Sequence, residues 1–98
     1  MDKQLDIQKT LSQHLDELKT TYGVERLGLF GSFSRGEQTP SSDIDLLVEF
    51  THPVGFFQFL RLERELSTLL GRRVDLVTRK ALKPHIGQRI LAEVKYVQ

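Results

Sequence analysis

The chain predicts an α/β (α+β) fold, a small β-sheet of three or more strands with helices packed on one face. Two observations carry this. Apolar residues recur at helical spacing in three segments and at strand spacing in three others, in the order α, β, β, α, β, α, with no internal repeat, low-complexity tract or linker. The 98 residues, 39% hydrophobic and 28% charged, suit one domain over 1–98 and exclude disorder or a collagen-like repeat. A domain of this size buries about 60–70% of the surface its unfolded chain exposes, which leaves room for a partner surface.

The first helix is expected over 5–22. Ile7, Leu11, Leu15, Leu18 and Tyr22 line one face, and Gly23 supplies the stop. Val24 to Phe30 is short, rich in β-formers, and reads as the first strand. The run from Gly31 to Ser42, GSFSRGEQTPSS, is a loop that can open with a helical turn. Asp43 to Phe50 is the second strand, with Ile44, Leu46, Val48 and Phe50 on one face and Asp43, Asp45, Leu47 and Glu49 on the other. After a break at 51–55, a helix ending at Gly71 carries the stripe Phe56, Phe59, Leu60, Leu62, Leu66, Leu69 and Leu70, and the phenylalanines at 56, 57 and 59 are expected to pack in the core. Arg72 to Thr78 is the third strand. Pro84 to Val94 is a weaker helix with Ile86, Ile90, Leu91 and Val94 inward, although Gly87 lies within it.

Fourteen basic against thirteen acidic side chains leave a net charge of +1, so the balance lacks the basic excess usual for direct nucleic-acid binding. Without cysteine, disulfides, thiolate metal sites and cysteine nucleophiles are excluded. No basic-then-apolar leader opens the chain and no apolar run approaches the roughly 18–20 residues of a membrane span, so a cytoplasmic location is expected.

The chemistry concentrates around one acidic pair. Asp43 and Asp45 are two apart on a strand, so their carboxylates leave the same face and repel unless a cation lies between them. Oxygen donors without His or Cys at matching spacing favour a hard ion, and Mg²⁺ completes its shell with water and substrate phosphates. Asp75 lies on the third strand and points away from Val74 and Leu76. If the two strands are neighbours, it joins the pair as a further ligand and as acceptor for a proton. The alternative is a strand-edge charge paired with Arg72 or Arg73.

Just before the pair, GSFSRG offers the conformational freedom of Gly31, the hydroxyls of Ser32 and Ser34 and the cation of Arg35, groups that can cradle a polyphosphate. It is not a P-loop, because Glu37 and Gln38 follow Gly36, and the G-x-G-x-x-G fingerprint fails too. An EF-hand is excluded by Leu47 and Val48.

Together, Gly31-Ser32, Arg35-Gly36, Pro40 and Ser42-Asp43-x-Asp45, followed by RRVDLVT around Asp75, resemble the minimal nucleotidyltransferase family of the DNA polymerase β superfamily. The resemblance covers essentially the whole chain. It implies a nucleotidyltransferase fold with a small mixed sheet, in which Gly31 and Ser32 hold the triphosphate of ATP and Asp43, Asp45 and Asp75 bind two Mg²⁺ ions. Arg35 matches the motif as well, either touching phosphate or bracing the loop. Relatives of this size pair with HEPN-type toxins as antitoxins, and some transfer AMP from ATP to a tyrosine of that partner. The resemblance therefore implies a protein adenylyltransferase acting on a HEPN-type partner, with a homo- or hetero-oligomer compatible. One alternative is an antitoxin that neutralises by binding alone; another is a small-molecule transferase.

Other candidates read as structural. His14, His52 and His85 share no spacing and are expected on the surface or in turns. Arg72-Arg73 and Arg79-Lys80 read as solvated strand ends. Glu49 lies about 13 Å along the strand from Asp45, too far to share an ion.

Overall fold

The computed structural model describes residues 3–39 and 41–98; Pro40 of the motif lies outside the described residues, as do the first two positions. The amphipathic helix α1 (Lys3–Tyr22) leads into β1 (Val24–Phe30), a four-residue helix α2 (Ser32–Arg35), β2 (Ile44–Phe50), helix α3 (Phe56–Leu70), β3 (Val74–Thr78), a 3-10 turn (Arg79–Ala81), helix α4 (Pro84–Glu93) and a two-residue strand β4 (Lys95–Tyr96). Gly23 and Gly71 end α1 and α3 with positive φ, as their positions lead one to expect.

The sheet order is β3-β2-β1-β4. β1 pairs antiparallel with both β2 and β4, and β2 pairs parallel with β3. The parallel pair is possible because α3 carries the chain back across the sheet between β2 and β3. Strand alternation then sorts the side chains. Leu27 and Leu29, Ile44, Leu46 and Val48, and Val74 and Leu76 face α1 and α3, where Ile7, Leu11, Leu15, Leu18, Leu62 and Leu66 close the main core. Replacing Leu46, fully buried at the centre of this layer, by alanine is expected to cost about 2–5 kcal/mol in urea unfolding.

The opposite face is divided. α4 covers part of it, where Phe30, Leu47 and Ile90 form a second buried cluster with Val77, Leu91 and Val94 around it. The expected covering of one face thus holds for α1 and α3, and α4 adds cover on the other. Gly28 lies mid-strand because Val94 passes so close that a Cβ there would collide with it. The short β4 was not anticipated: two residues carry too little periodicity to read, and its pairing of Gly28 with Tyr96 and Leu29 with Lys95 is purely tertiary.

Four apolar positions expected to be buried are corrected. Phe56 and Phe57 are 68% and 77% exposed, and Leu60 and Ile86 are also exposed. A helix turns about 100° per residue, so with Leu62 and Leu66 at the centre of the buried stripe, Phe57 and Leu60 fall on the outer side and Phe56 at its margin. Phe57→Ser is accordingly expected to change the unfolding free energy by no more than about 0.5 kcal/mol.

Candidate active site

The uncovered part of the second face is acidic. β2 and β3 run in parallel with Asp45 directly opposite Asp75, and directly paired residues present their side chains to the same side of a sheet. Asp43 precedes β2 on that side, half exposed, with the Arg73 guanidinium 3.9 Å away. Arg72 is not a solvated strand end: its guanidinium donates to the Ser42 carbonyl at 2.7 Å and the Thr39 carbonyl at 3.2 Å, tying the loop before Asp43 to β3.

Gly31 closes over this pair from the end of β1. Its φ of 76° and ψ of −154° belong to a region that essentially glycine alone enters. A Cβ at this position would also collide with the Asp45 carboxylate. The chain then enters α2 at Ser32 and leaves it at Gly36, whose φ is also positive. The expected helical turn at the start of the loop is therefore present, and it seats the Gly31–Ser32 turn against Asp45.

Arg35 is exposed, and its guanidinium is paired with two carboxylates. Its Nε donates to Glu37 at 2.6 Å and its Nη1 to the two oxygens of Glu93 at 3.2 and 3.1 Å. These contacts tie Arg35 to the loop and to α4. Glu93 itself was missed. It lies 62 positions beyond Gly31, yet its carboxylate accepts the Gly31 N–H at 3.2 Å, and nothing in its local sequence distinguishes it from other glutamates on helices.

The electrostatics are those of crowded anions. Burial pushes the Asp45 carboxyl up from 3.8 to about 6, and the charges of Asp75, Asp43 and Glu93 push the same way, against the pull of Arg35. Among the described residues no three His, Asp or Glu side chains close around one point as a ready metal cage. The donor set still fits a hard cation, because an Asp pair with a third carboxylate beside it provides oxygen ligands and unbalanced negative charge, while Mg²⁺ takes its remaining oxygens from water and phosphate.

A stability test follows from that shift. The folded pKa lies above the unfolded one, so ionising Asp45 weakens the fold: the cost is absent below about pH 4, grows as pH rises through 6 and is full above it. Asp45→Asn should therefore raise the melting temperature of the metal-free protein at pH 8, by roughly 4–8 °C for about 1 kcal/mol after allowance for solvent screening. At pH 4 the difference should vanish, as a pair of melting scans would show.

The remaining candidates lie apart. His14 sits 3.7 Å from Glu17 and His52 bonds Thr51, while His85 is exposed. Glu49 is held by Arg26 and Arg79 and by the Tyr96 hydroxyl. A groove of about 430 Å³ opens at the far end of β2, beside Phe50, Thr78 and Arg79, and includes none of Asp43, Asp45 or Asp75. The chemistry is thus concentrated on an open face. Among the described residues no helix is long and apolar enough to cross a membrane.

Comparison with known proteins bears on this arrangement. Residues 11–97 match the nucleotidyltransferase domain family. The protein adenylyltransferase MntA of Thermococcus cleftensis is 44% identical over 92 residues, covering 94% of this chain and 93% of its own. A solved structure described as a minimal nucleotidyltransferase superposes with a TM-score of 0.80 at 34% identity, covering 97% of this chain and 95% of its own. A chain from a toxin–antitoxin complex with AMP-PNP does so with a TM-score of 0.73 at 25% identity, over 89% and 72%. With the mixed four-stranded sheet and a match across most of its length, this chain belongs to the nucleotidyltransferase domain family and is an enzyme homologous to a protein adenylyltransferase.

Proposed function

We propose that this chain, as one minimal nucleotidyltransferase domain over 1–98, transfers AMP from ATP to a tyrosine hydroxyl of a HEPN-type toxin and so acts as its antitoxin in the cytoplasm. The observation that carries the reading is the direct pairing of Asp45 with Asp75 beneath a turn that only Gly31 can make. Gly31 and Ser32 bind the triphosphate, with the half-buried Ser32 at the start of α2. Asp43 and Asp45 would hold two Mg²⁺ ions, with Asp75 completing one of the two sites. Bound there, the ions would neutralise the phosphates and acidify the attacking hydroxyl.

Asp75, the more exposed of the facing pair, is placed to take the proton of the acceptor hydroxyl as it approaches from solvent. The hydroxyl oxygen bonds to the α-phosphorus, the bond from that phosphorus to the bridging oxygen breaks, and pyrophosphate leaves. The openness of the face supports a protein acceptor, since among the described residues no pocket lined by Asp43, Asp45 or Asp75 encloses a small one. The relatives' names support the same reading, in that one is a protein adenylyltransferase and another was crystallised in a toxin–antitoxin complex with an ATP analogue.

Incubation with α-labelled ATP, Mg²⁺ and a HEPN-type toxin as acceptor tests the proposal. Label is expected on the partner with the wild type and not with Asp43→Asn plus Asp45→Asn. Equal labelling by both would reject the transfer, and neutralisation that persists in the double variant without labelling would favour an antitoxin acting by binding.

A further inference from the structure

We propose that Glu93 is the positioning residue of the nucleotide site, holding the Gly31–Ser32 turn in register with Asp45 from the end of α4. The inference rests on the proposed nucleotide role of that turn. Contacts from three residues converge on this one. Its Oε1 accepts the Gly31 N–H at 3.2 Å, its two carboxylate oxygens accept from Arg35 Nη1 at 3.2 and 3.1 Å, and its backbone carbonyl accepts the Ser34 hydroxyl at 2.9 Å. The first, fourth and fifth residues of the segment Gly31–Arg35 are thus fixed to a single point on another element.

That point is itself firmly held. α4 packs through Ile90 onto Phe30 and Leu47, Val94 lies against Gly28, and Lys95 and Tyr96 pair with β1 immediately afterwards. Glu93 sits between these anchors, so its carboxylate has little freedom to wander. A surface ion pair alone would contribute little. The bond to Gly31 differs, because it fixes a backbone group one residue from Ser32 and directly above Asp45. Arg35 then acts through Glu93, neutralising a carboxylate that would otherwise add one more negative charge where a triphosphate must approach.

The test compares wild type, Glu93→Gln, Glu93→Asp and Glu93→Ala by two measurements: solvent exchange of the ¹⁵N-labelled Gly31 amide, and calorimetric binding of AMP-PNP with Mg²⁺. Glu93→Gln keeps an acceptor oxygen at the same reach, and its exchange and affinity should stay within about threefold of wild type. Glu93→Ala loses the acceptor, so the Gly31 amide should exchange at least about tenfold faster and affinity should fall about tenfold. Glu93→Asp keeps the charge but is one methylene short; it should resemble the alanine variant, and it carries the test if Glu93→Ala fails to fold. Wild-type exchange and affinity in Glu93→Asp or Glu93→Ala would overturn the proposal. If the wild type binds no AMP-PNP, the nucleotide reading fails by itself, and Gly31 exchange still decides whether Glu93 positions the turn.

Discussion

Gly31→Ala is expected to lose AMP transfer by at least about a hundredfold and to destabilise the fold by roughly 2–6 kcal/mol, adding about 1–3 for a backbone conformation closed to alanine and about 1–3 for overpacking. Both terms arise at one place. The φ of 76° with ψ of −154° excludes a side chain on backbone grounds, and the added methyl collides with the Asp45 carboxylate. Relief in either direction damages the site, since moving the turn releases its amide from Glu93 and moving Asp45 breaks its alignment with Asp75. Urea unfolding and labelled-ATP transfer check the two halves. A variant of wild-type stability would show that the turn relaxes freely, and the close approach would lose its significance.

The second large effect is expected at Asp75. Its replacement by asparagine should lower kcat by about 10²–10⁴, the range for loss of a positioned proton acceptor, while KM for ATP changes only a few-fold. Asp45→Asn should behave differently. Asp45 lies beneath the Gly31 turn and among the other carboxylates, so its loss should weaken nucleotide binding as well as turnover. Single-turnover measurements across a range of ATP concentrations separate these patterns. Full activity in Asp75→Asn would leave proton transfer to solvent or to the acceptor protein itself.

How much of this was legible in the sequence depends on the range of each interaction. α1 and the strands β1 to β3 could be read because their periodicity is a local consequence of having a buried face, as the run Ile7, Leu11, Leu15, Leu18 shows. Strand ends shifted by one or two residues: Asp43, Arg72 and Arg73 lie outside the ladders that begin at Ile44 and Val74. The carboxylate trio could be placed on one face by alternation alone, but only the parallel register brings Asp75 opposite Asp45. β4 and Glu93 were illegible for one physical reason, namely that each acquires its role from a partner over 60 positions away, Gly28 for Tyr96 and Gly31 for Glu93. Phe56 and Phe57 mislead in the opposite sense. Aromatic character predicts burial on average, but the start of α3 turns them outward.

Anomalous diffraction from crystals grown with Mn²⁺ and AMP-PNP tests the central claim most directly. The account predicts metal peaks within coordination distance of Asp43 and Asp45, one of them also near Asp75, with the triphosphate lying along the Gly31–Ser32 turn. Nucleotide bound without metal at these carboxylates, or metal bound elsewhere on the chain, would contradict it.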